Sequence, residues 1–339
     1  MPSLFSSFTC GAGLLAIVSS APTLIHSGGG GGGGGQNLAI YWGQNSYGQG
    51  SGPNVQKNLA FYCENTNINI IPLAFMNGIT PPIVNFANAG DRCETFNGTG
   101  LLKCPEIEAD IQTCQTKYKK TIVVSLGGAT YTQGGWSSPA EAAKAADMVW
   151  AMFGPVPADG NSTVQRPFGA AVVDGFDFDF EAVTNNLPAF GARLRTLMDT
   201  ASDYAPKKHF YLTAAPQCVF PDAAVGSTLD AVPFDYVFIQ FYNNWCGVSN
   251  FQPGAATQPA FNMDVWDSWS KRSKNPAVKV LLGIPANYGA GGGYVRGPKL
   301  TSVIQYSRQF PSFGGVMMWD MSQLYANPGF LEEVVAALS

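Results

Sequence analysis

Residues 174–181 place acidic and phenylalanine side chains in alternation, reading Asp-Gly-Phe-Asp-Phe-Asp-Phe-Glu. In a β-strand, side chains two positions apart share one face. Asp177, Asp179 and Glu181 therefore face one side, with neighbouring carboxylates about 6–7 Å apart at the backbone. Three acids this close cannot all ionise cheaply, so at least one should hold its proton above its ordinary pKa. A proton held beside ionised carboxylates is what acid-catalysed cleavage of a glycosidic bond requires.

An ordinary half-exposed strand, with acids toward water and phenylalanines toward the core, would show the same alternation. It would not explain why every exposed position from 177 to 181 is acidic in a chain with only 12% charged residues. That fraction is about half of the ~25% that globular proteins average. We therefore interpret the segment as part of an active site.

Other catalytic chemistries find little support in the sequence. The chain has two histidines, and His26 lies in the N-terminal leader. A Ser-His-Asp or Cys-His apparatus would depend on His209, which starts a predicted strand and so lies at the wrong end of a barrel. No H-E-x-x-H motif is present, and the aromatic residues that flank the acids do not suit the hydrated geometry of a magnesium site. We expect neither a metal nor a cofactor.

The elements that must position the acids form a regular alternation. Runs rich in Val, Ile and aromatic residues predict eight strands: 38–42, 68–75, 122–126, 172–181, 210–215, 236–241, 278–284 and 314–319. Apolar residues at helical spacing predict helices between most of them: 54–64, 106–117, 140–153, 187–201, 263–272, 300–309 and 329–338. We expect Asn327 to cap the last helix and Pro328 to lie in its first turn.

Strands that alternate with helices indicate βαβ units and a parallel sheet. Eight units in about 300 residues predict an α/β fold with a single (β/α)₈ TIM barrel. The alternative, a doubly wound sheet, usually carries a glycine-rich phosphate loop after its first strand. Here the first strand runs instead into Trp42-Gly43-Gln44-Asn45.

The barrel prediction places chemistry at one end of the molecule, because TIM-barrel active sites lie at the carboxyl ends of the strands. Glu181 ends the acidic strand in this prediction, Gln240 and Tyr242 end the sixth strand, and Trp319 ends the eighth. The first strand contributes the Tyr41–Trp42 pair. Aromatic faces beside polar groups suit sugar rings, which present apolar C–H faces and hydroxyl edges.

The first 36 residues differ in composition from the rest of the chain. A short apolar segment followed by small residues predicts a secretory signal over 1–21, although no Lys or Arg precedes the apolar part. The glycine run within 22–36 predicts a flexible tether, and 37–339 would form the catalytic domain. An uncleaved, disordered N-terminal tail is the alternative.

Cysteine usage agrees with export. Six cysteines follow the leader, an even number without metal-type C-x-x-C spacing, which favours disulfides. We expect Cys63–Cys114 nested around Cys93–Cys104, and Cys218–Cys246, although spacing alone does not select this pairing among the alternatives. Sequons at Asn97 and Asn161 predict N-glycosylation in the same compartment.

Five motifs in order resemble the family 18 glycoside hydrolases, specifically the class III chitinases of plants and fungi. The acidic segment matches the family signature D-x-x-D-x-D-x-E at every fixed position. Four further segments are similar to the ends of the first, third, sixth and eighth strands of that class: 41–45 (YWGQN), 125–128 (SLGG), 240–244 (QFYNN) and 318–320 (MWD). The resemblance covers the chain from about residue 37 onward.

The resemblance implies retaining, substrate-assisted hydrolysis of β-1,4-linked N-acetylglucosamine polymers, outside the usual two-carboxylate scheme. It implies that Glu181 is the general acid and base, and that Asp179 stabilises an oxazolinium ion formed by the substrate's own N-acetyl oxygen. Tyr242 would hold the acetamido oxygen, and Asp177 would share a proton with Asp179. Because Glu181 must be protonated in the first step, we expect an acidic pH optimum.

The resemblance also implies which residues contact substrate and how two peptide bonds are set. The expected contacts are Tyr41, Phe75, Gly128, Ala129, Gln240, Asn243 and Trp319. The Ala74–Phe75 and Trp319–Asp320 peptides are expected to be cis. Two other functions share this fold: a non-catalytic chitin-binding or sugar-binding lectin, and an endo-β-N-acetylglucosaminidase that acts on N-glycans. The intact acids argue against the first, and the YWGQN and QFYNN segments resemble the chitinase class rather than the second.

Composition narrows the partners that such an enzyme would have. A net charge of −4 with no basic cluster argues against nucleic acid, and no apolar run approaches the ~18–20 residues of a membrane span. We expect a secreted monomer, extracellular or in the cell wall, that acts on chitin or chito-oligosaccharides. No stalk, anchor tail or extra binding module follows the last predicted helix, so we expect higher activity on soluble oligomers or swollen chitin than on crystalline chitin.

Overall fold

Parallel strands close into a barrel in the part of the chain that the structure, a computed structural model, describes: residues 36–156, 164–204 and 208–339. The eight barrel strands within these ranges are β1 (Asn37–Ile40), β2 (Ile70–Met76), β3 (Thr121–Gly127), β4 (Gly175–Asp179), β5 (Tyr211–Ala214), β6 (Tyr236–Gln240), β7 (Lys279–Pro285) and β8 (Phe313–Trp319). Each strand pairs in parallel with its sequence neighbours, and β1 closes the ring against β8. The predicted (β/α)₈ barrel is therefore confirmed.

Helices follow the strands in chain order. In the described ranges they are α1 (Leu59–Cys63), α2 (Pro105–Thr116), α3 (Pro139–Phe153), α4 (Leu187–Tyr204), α5 (Gly226–Ala231), α6 (Met263–Ser270), α7 (Pro298–Ser307), α8 (Met321–Tyr325) and α9 (Phe330–Leu338). Proline occupies the first turn of α2, α3 and α7, where its missing N–H costs nothing. None of the described helices is long and apolar enough to cross a membrane.

The alternating side chains of residues 174–181 point into two different layers of the core. Phe176 and Phe178 point outward and pack among helix and loop aromatics, including Phe153, Phe190 and Phe234. The acids on the same strand point into the barrel lumen, where a smaller apolar cluster lines the interior. The acids thus face the enclosed centre of the barrel rather than solvent, which is a more costly position for a carboxylate.

Several predicted boundaries were wrong, and side-chain hydrogen bonds explain them. The first helix begins at Leu59 rather than at residue 54, because the residues before it form a loop in which Gln56 Oε1 accepts hydrogen bonds from the backbone N–H groups of Gly43 and Asn45. The last helix begins at Phe330. Asn327 does not cap it, because its amide donates to Ala286 O and to the Tyr294 hydroxyl.

The acidic strand is also shorter than predicted, and some elements were missed. β4 ends at Asp179, so Glu181 lies two residues beyond the strand instead of closing it. Three further features were not predicted: α5, α8 and a small antiparallel hairpin formed by Glu94–Thr95 and Leu102–Lys103. These elements are too short to produce a clear periodic pattern.

Three disulfides link the described residues in the expected pairs. Cys63–Cys114 joins α1 to α2, Cys93–Cys104 spans the base of the hairpin, and Cys218–Cys246 joins the loops that follow β5 and β6. Asn97 is exposed on the hairpin loop. Residues 1–35, which hold the predicted signal and nearly all of the predicted tether, and the sequon at 161 lie outside the described residues.

Candidate active site

Asp177 forms the deepest part of an acidic column in the barrel lumen. It has no exposed surface and accepts three hydroxyl hydrogen bonds: Tyr41 and Ser125 donate to Oδ2, both at 2.7 Å, and Thr213 donates to Oδ1 at 2.6 Å. Burial raises the pKa of Asp177, and the three hydroxyl donors oppose this rise. The hydroxyls come from strands β3 and β5 and from the residue after β1, so the barrel itself assembles this carboxylate's environment.

Asp179 lies one step closer to the barrel mouth. It is 3% exposed, and the Gln240 side-chain amide donates to its Oδ1 at 3.0 Å. Burial raises its pKa well above the ordinary value, and the carboxylates of Glu181, Asp177 and Asp222 raise it further. A carboxyl group in this setting favours the protonated form at a pH where most aspartates are ionised.

Glu181 lies at the mouth of the barrel, where its side chain is exposed to the cavity. Partial burial raises its pKa, and the nearby Asp222 carboxylate raises it further. The exposure of the three acids therefore increases from the fully enclosed Asp177 to Glu181, which a substrate can reach. This arrangement meets the requirement for a general acid, which must be both protonated and accessible.

Glycine is required where β3 passes the acidic strand. Gly127 has φ +109°, and a Cβ at this position would lie 2.7 Å from the carbonyl oxygen of Asp179. Gly128 has φ +77°, and its N–H donates to that same carbonyl at 2.7 Å. A Cβ on Gly128 would lie 2.8 Å from the Phe75 ring. The two glycines thus let β3 and the aromatic wall approach the acids closely.

Three of the aromatic side chains that line the cavity are Trp319, Phe75 and Tyr41. The Trp319 and Phe75 rings are stacked, with centroids 5.7 Å apart and planes inclined by 20°. The Tyr41 ring lies 5.5 Å from Trp319 and 6.4 Å from Phe75. The peptides that present two of these rings, Ala74–Phe75 and Trp319–Asp320, are both cis as expected. The aromatic faces and the acids together bound a space that suits a sugar ring.

Tyr242 and Asn243 follow β6 and complete the wall. Tyr242 is 6% exposed, and burial together with the neighbouring carboxylates raises its pKa well above the ordinary value, so it remains a neutral phenol and a hydrogen-bond donor. Asn243 Oδ1 accepts a hydrogen bond from Gly292 N at 2.6 Å. This bond ties the glycine-rich loop after β7 to the rim of the cavity.

The cavity has a volume of about 270 Å³. Of the residues expected at the site, nine line it: Tyr41, Phe75, Ala129, Asp179, Glu181, Gln240, Tyr242, Asn243 and Trp319. Asp177 lies beneath it, and Gly128 lies behind Phe75 rather than on the cavity surface. Trp42 is not at the rim, because it is buried in the outer core against Phe86.

Several residues of the site were not predicted from the sequence. Additional polar groups line the cavity: Gln44, Thr130, Gln217 and Asn244. Gln217 and Asn244 are joined by a 3.0 Å hydrogen bond. Thr213 donates to Asp177, and the Asp222 carboxylate raises the pKa of Asp179 and of Glu181. A polar residue just after a predicted strand was the available signal for Gln217. No local pattern could have found Asp222.

Comparisons with known proteins agree with this architecture. The family model for glycosyl hydrolases family 18 matches residues 37–302. Endochitinase 33 of Trichoderma harzianum is 58% identical over the full length of both chains, and a class III chitinase of Arthroderma benhamiae is 47% identical over 89% of this chain and 86% of its own. The crystal structure of the ICChI chitinase of Ipomoea carnea superposes with a TM-score of 0.68 at 28% identity, covering 89% of this chain and 99% of that one. The chain therefore belongs to family 18 of the glycosyl hydrolases.

Proposed function

We propose that this chain is a chitinase that hydrolyses β-1,4 bonds between N-acetylglucosamine units in chitin or chito-oligosaccharides. The observation that carries the proposal is the arrangement of Asp177, Asp179 and Glu181, whose exposure increases toward an aromatic-walled cavity. The similarity to Endochitinase 33 over the whole chain supports the same substrate class. The catalytic domain would comprise residues 37–339.

The proposed mechanism is retaining and uses the substrate's own acetamido group as nucleophile. Glu181 donates its proton to the glycosidic oxygen as the bond to the anomeric carbon breaks. The acetamido oxygen attacks that carbon and forms an oxazolinium ion, whose N–H is oriented by Asp179. Water then attacks the anomeric carbon and gives its proton to Glu181, which restores the starting enzyme.

The surrounding groups supply what these steps need. Tyr242 is a neutral phenol in the cavity wall and would donate a hydrogen bond to the acetamido oxygen. Asp177 would share a proton with Asp179, because two carboxylates enclosed this closely cannot both ionise cheaply. The Trp319 ring would support the reacting sugar from below.

We further propose that the protein acts outside the cell as a monomer. Disulfides persist in oxidising compartments, and the described residues contain three of them. The exposed asparagine at position 97 is the proposed N-glycosylation site in this part of the chain. The relatives from Trichoderma harzianum and Arthroderma benhamiae are an endochitinase and a class III chitinase, which is compatible with action on a wall polysaccharide.

The test is hydrolysis of N-acetylglucosamine tetramer to hexamer by the wild type and by Glu181→Gln, with products and anomers resolved. We expect β-anomeric products from the wild type and a loss of about 10²–10⁴-fold in kcat for the variant, with oligomer binding retained in calorimetry. Glu141→Gln is the matched control, because Glu141 is exposed on α3.

Three results would contradict the proposal. Equal rates for Glu181→Gln and the wild type would show that Glu181 takes no part in catalysis. Wild-type binding without cleavage would favour a lectin. Cleavage of N-glycans but not of chito-oligosaccharides would favour an endo-β-N-acetylglucosaminidase.

A further inference from the structure

Two aromatic side chains are exposed to solvent in loops at the mouth of the barrel. Trp245 follows β6 and is 58% exposed, and Tyr288 follows β7 and is 86% exposed. A single exposed apolar side chain needs no explanation. Each of these two, however, lies within two residues of a residue that lines the cavity, Asn244 or Ala290. The two aromatic side chains therefore flank the candidate active site.

The cavity is too small to enclose the whole of a polymeric substrate. Its volume of about 270 Å³ is below the ~300–1,000 Å³ of pockets that enclose drug-sized ligands. A chain of several N-acetylglucosamine units is larger than such a ligand, so most of the chain must lie outside the cavity. The loops around the mouth are the surface over which it leaves.

The loops after β6 and β7 are joined directly to each other beside the cavity. Asn243 N donates a hydrogen bond to Gly292 O at 2.8 Å, and Gly292 N donates one back to Asn243 Oδ1 at 2.6 Å. The two loops therefore form one surface, and Trp245 and Tyr288 lie on either side of the bonds that join them. The other exposed aromatic side chains of the described residues belong to loops or helices outside this pair.

The backbone next to each aromatic residue is also held in place. Trp245 O accepts a hydrogen bond from Asn250 Nδ2 at 2.8 Å, and the next residue, Cys246, is buried and disulfide-bonded. Tyr288 N donates to Asn287 Oδ1 at 2.7 Å. The two side chains are thus exposed on an ordered backbone, so a ligand that stacks on them pays little for ordering the loops.

Polar groups that suit a sugar lie next to Trp245. Asn244 and Gln217 line the cavity, and Asn244 Nδ2 donates to Gln217 Oε1 at 3.0 Å. Amide groups can donate to and accept from the hydroxyls of a sugar ring, and an aromatic face packs against its C–H face. No Lys, Arg or His is found among the described residues that line the cavity. This chemistry fits a neutral sugar unit rather than an anionic one.

We propose that Trp245 and Tyr288 form an outer subsite that binds the part of the N-acetylglucosamine chain leaving the cavity over the loops after β6 and β7. Trp245 packs against the sugar units nearest the cavity, and Tyr288 supplies a second aromatic face on the adjoining loop. This inference rests on the proposed function, because the ligand is the same polymer. The two residues determine the preference for chain length and take no part in proton transfer.

The test measures how binding depends on oligomer length. Calorimetry gives Kd for N-acetylglucosamine dimer to hexamer in Glu181→Gln, which does not consume the ligand, and in the same protein carrying Trp245→Ala or Tyr288→Ala. We expect each alanine variant to bind the hexamer about three- to tenfold more weakly. The loss should grow with oligomer length and be smallest for the dimer. Phe61→Ala is the matched control, because Phe61 is 49% exposed but lies on α1, and it should leave every Kd unchanged.

Two results in this series would overturn the proposal. Unchanged hexamer binding in both alanine variants would show that neither ring contacts the chain. An equal loss for the dimer and the hexamer would show that the substitutions disturb the cavity itself. Trp245→Phe keeps an aromatic face and should restore most of the hexamer affinity, and a Phe variant as weak as Trp245→Ala would also contradict stacking on this ring.

Tryptophan fluorescence tests the same contact without an alanine variant. All seven tryptophans lie in the described residues, and Trp245 is the only one of them in the exposed class. Iodide should therefore quench Trp245 most strongly in Glu181→Gln. We expect the hexamer to protect the fluorescence from iodide more than the dimer does, and Trp245→Phe to abolish that difference. Equal protection by the dimer and the hexamer would refute the outer subsite.

Failure of the proposed function gives a different pattern. If the wild type binds the oligomers with the expected length dependence but cleaves none of them, hydrolysis is refuted and the outer subsite stands. If the wild type cleaves the hexamer and the loss in Trp245→Ala does not depend on length, the outer subsite alone is refuted. If no oligomer binds, both proposals are wrong.

Discussion

Asp177 depends on donors that are distant in sequence, so each donor can be removed singly. The Tyr41 hydroxyl donates to Asp177 Oδ2 at 2.7 Å inside the barrel. We predict that Tyr41→Phe lowers the free energy of unfolding by about 1.5–3 kcal/mol, the usual contribution of a hydrogen bond to a charged group. It should also lower kcat, because Asp177 then tunes Asp179 less effectively. Urea unfolding and initial rates on the hexamer measure the two effects.

Tyr62→Phe is the control for this prediction. The Tyr62 hydroxyl is also buried and accepts a hydrogen bond from Lys57 N at 2.9 Å, but it lies on α1 in the outer core. Its loss should lower stability and leave kcat unchanged. A Tyr41→Phe enzyme with wild-type kcat would show that the bond to Asp177 has no part in catalysis.

The acids could be predicted from the sequence because they recur at every second residue along β4 and the segment that follows it. Their partners could not. Tyr41, Ser125 and Thr213 lie 136, 52 and 36 residues from Asp177 along the chain. Only the closed barrel brings them to one carboxylate. Asp222 could not be predicted either, because it lies in the loop between β5 and α5 and belongs to no periodic pattern.

Two glycines with the same φ angle allow the cost of backbone strain to be measured separately from the cost of a steric clash. Gly128 and Gly254 both have φ +77°, but a Cβ on Gly128 would lie 2.8 Å from the Phe75 ring, whereas a Cβ on Gly254 would meet nothing within 4 Å. We predict that Gly254→Ala costs about 1–2 kcal/mol of stability, the strain of the left-handed region alone. Gly128→Ala should cost more, and it should raise KM for the hexamer because Phe75 must move.

Thermal unfolding and Michaelis–Menten kinetics on both alanine variants check this prediction. The two alanine variants share the backbone strain, so any difference between them reports the collision with Phe75. Equal stability losses and an unchanged KM in Gly128→Ala would mean that the Phe75 ring moves freely and does not form a fixed wall of the site.

The disulfides differ in the parts of the fold that they link. Cys218–Cys246 closes 28 residues and fixes the two loops that carry Gln217 and Asn244, whereas Cys63–Cys114 closes 51 residues between α1 and α2. Loop-closure entropy predicts that removing either pair by alanine costs about 3–4 kcal/mol, slightly more for the longer loop. We predict that only the Cys218–Cys246 variant also loses roughly tenfold or more in kcat/KM, because small shifts of positioning groups are costly in catalysis.

Urea unfolding and kinetics at a temperature where both double-alanine variants are folded separate the two effects. The Cys63–Cys114 variant is the control for lost stability without a disturbed cavity. A similar loss of kcat/KM in both variants would show that activity follows global stability rather than the position of the two loops.

At the scale of elements, strong periodic patterns were predicted well and short or interrupted ones were not. All eight barrel strands overlap the predicted runs, because a buried parallel strand reads as a continuous apolar segment. The start of the first helix depends on side-chain hydrogen bonds that a pattern does not show. The 54–58 segment looked helical, but Gln56 uses its amide to organise the loop before α1.

Enclosing acids in the barrel affects the stability of the whole molecule. For Asp179, burial and three neighbouring carboxylates raise the pKa in the folded state well above its value in the unfolded chain. Between those two values the folded state binds more protons than the unfolded state, so stability falls as pH rises through this window. Asp267 behaves oppositely. Burial raises its pKa, but hydrogen bonds from Lys271 and Ser312 outweigh this and lower it, so its contribution is lost as pH falls.

These opposite signs give a prediction for the protein as a whole. The Asp179→Asn variant keeps an oxygen that can accept the hydrogen bond from Gln240, and it removes the enclosed charge. We expect it to be nearly inactive but more stable than the wild type at pH 7, by about 0.5–2 kcal/mol. The gain should shrink toward pH 4, where the wild-type carboxyl is already protonated. Asp267→Asn should instead be less stable at pH 7, with a deficit that also shrinks in acid. Urea unfolding from pH 4 to pH 8 measures the stability of both variants. If Asp179→Asn is less stable than the wild type at pH 7, then enclosing the Asp179 carboxyl in the lumen does not lower the stability of the fold.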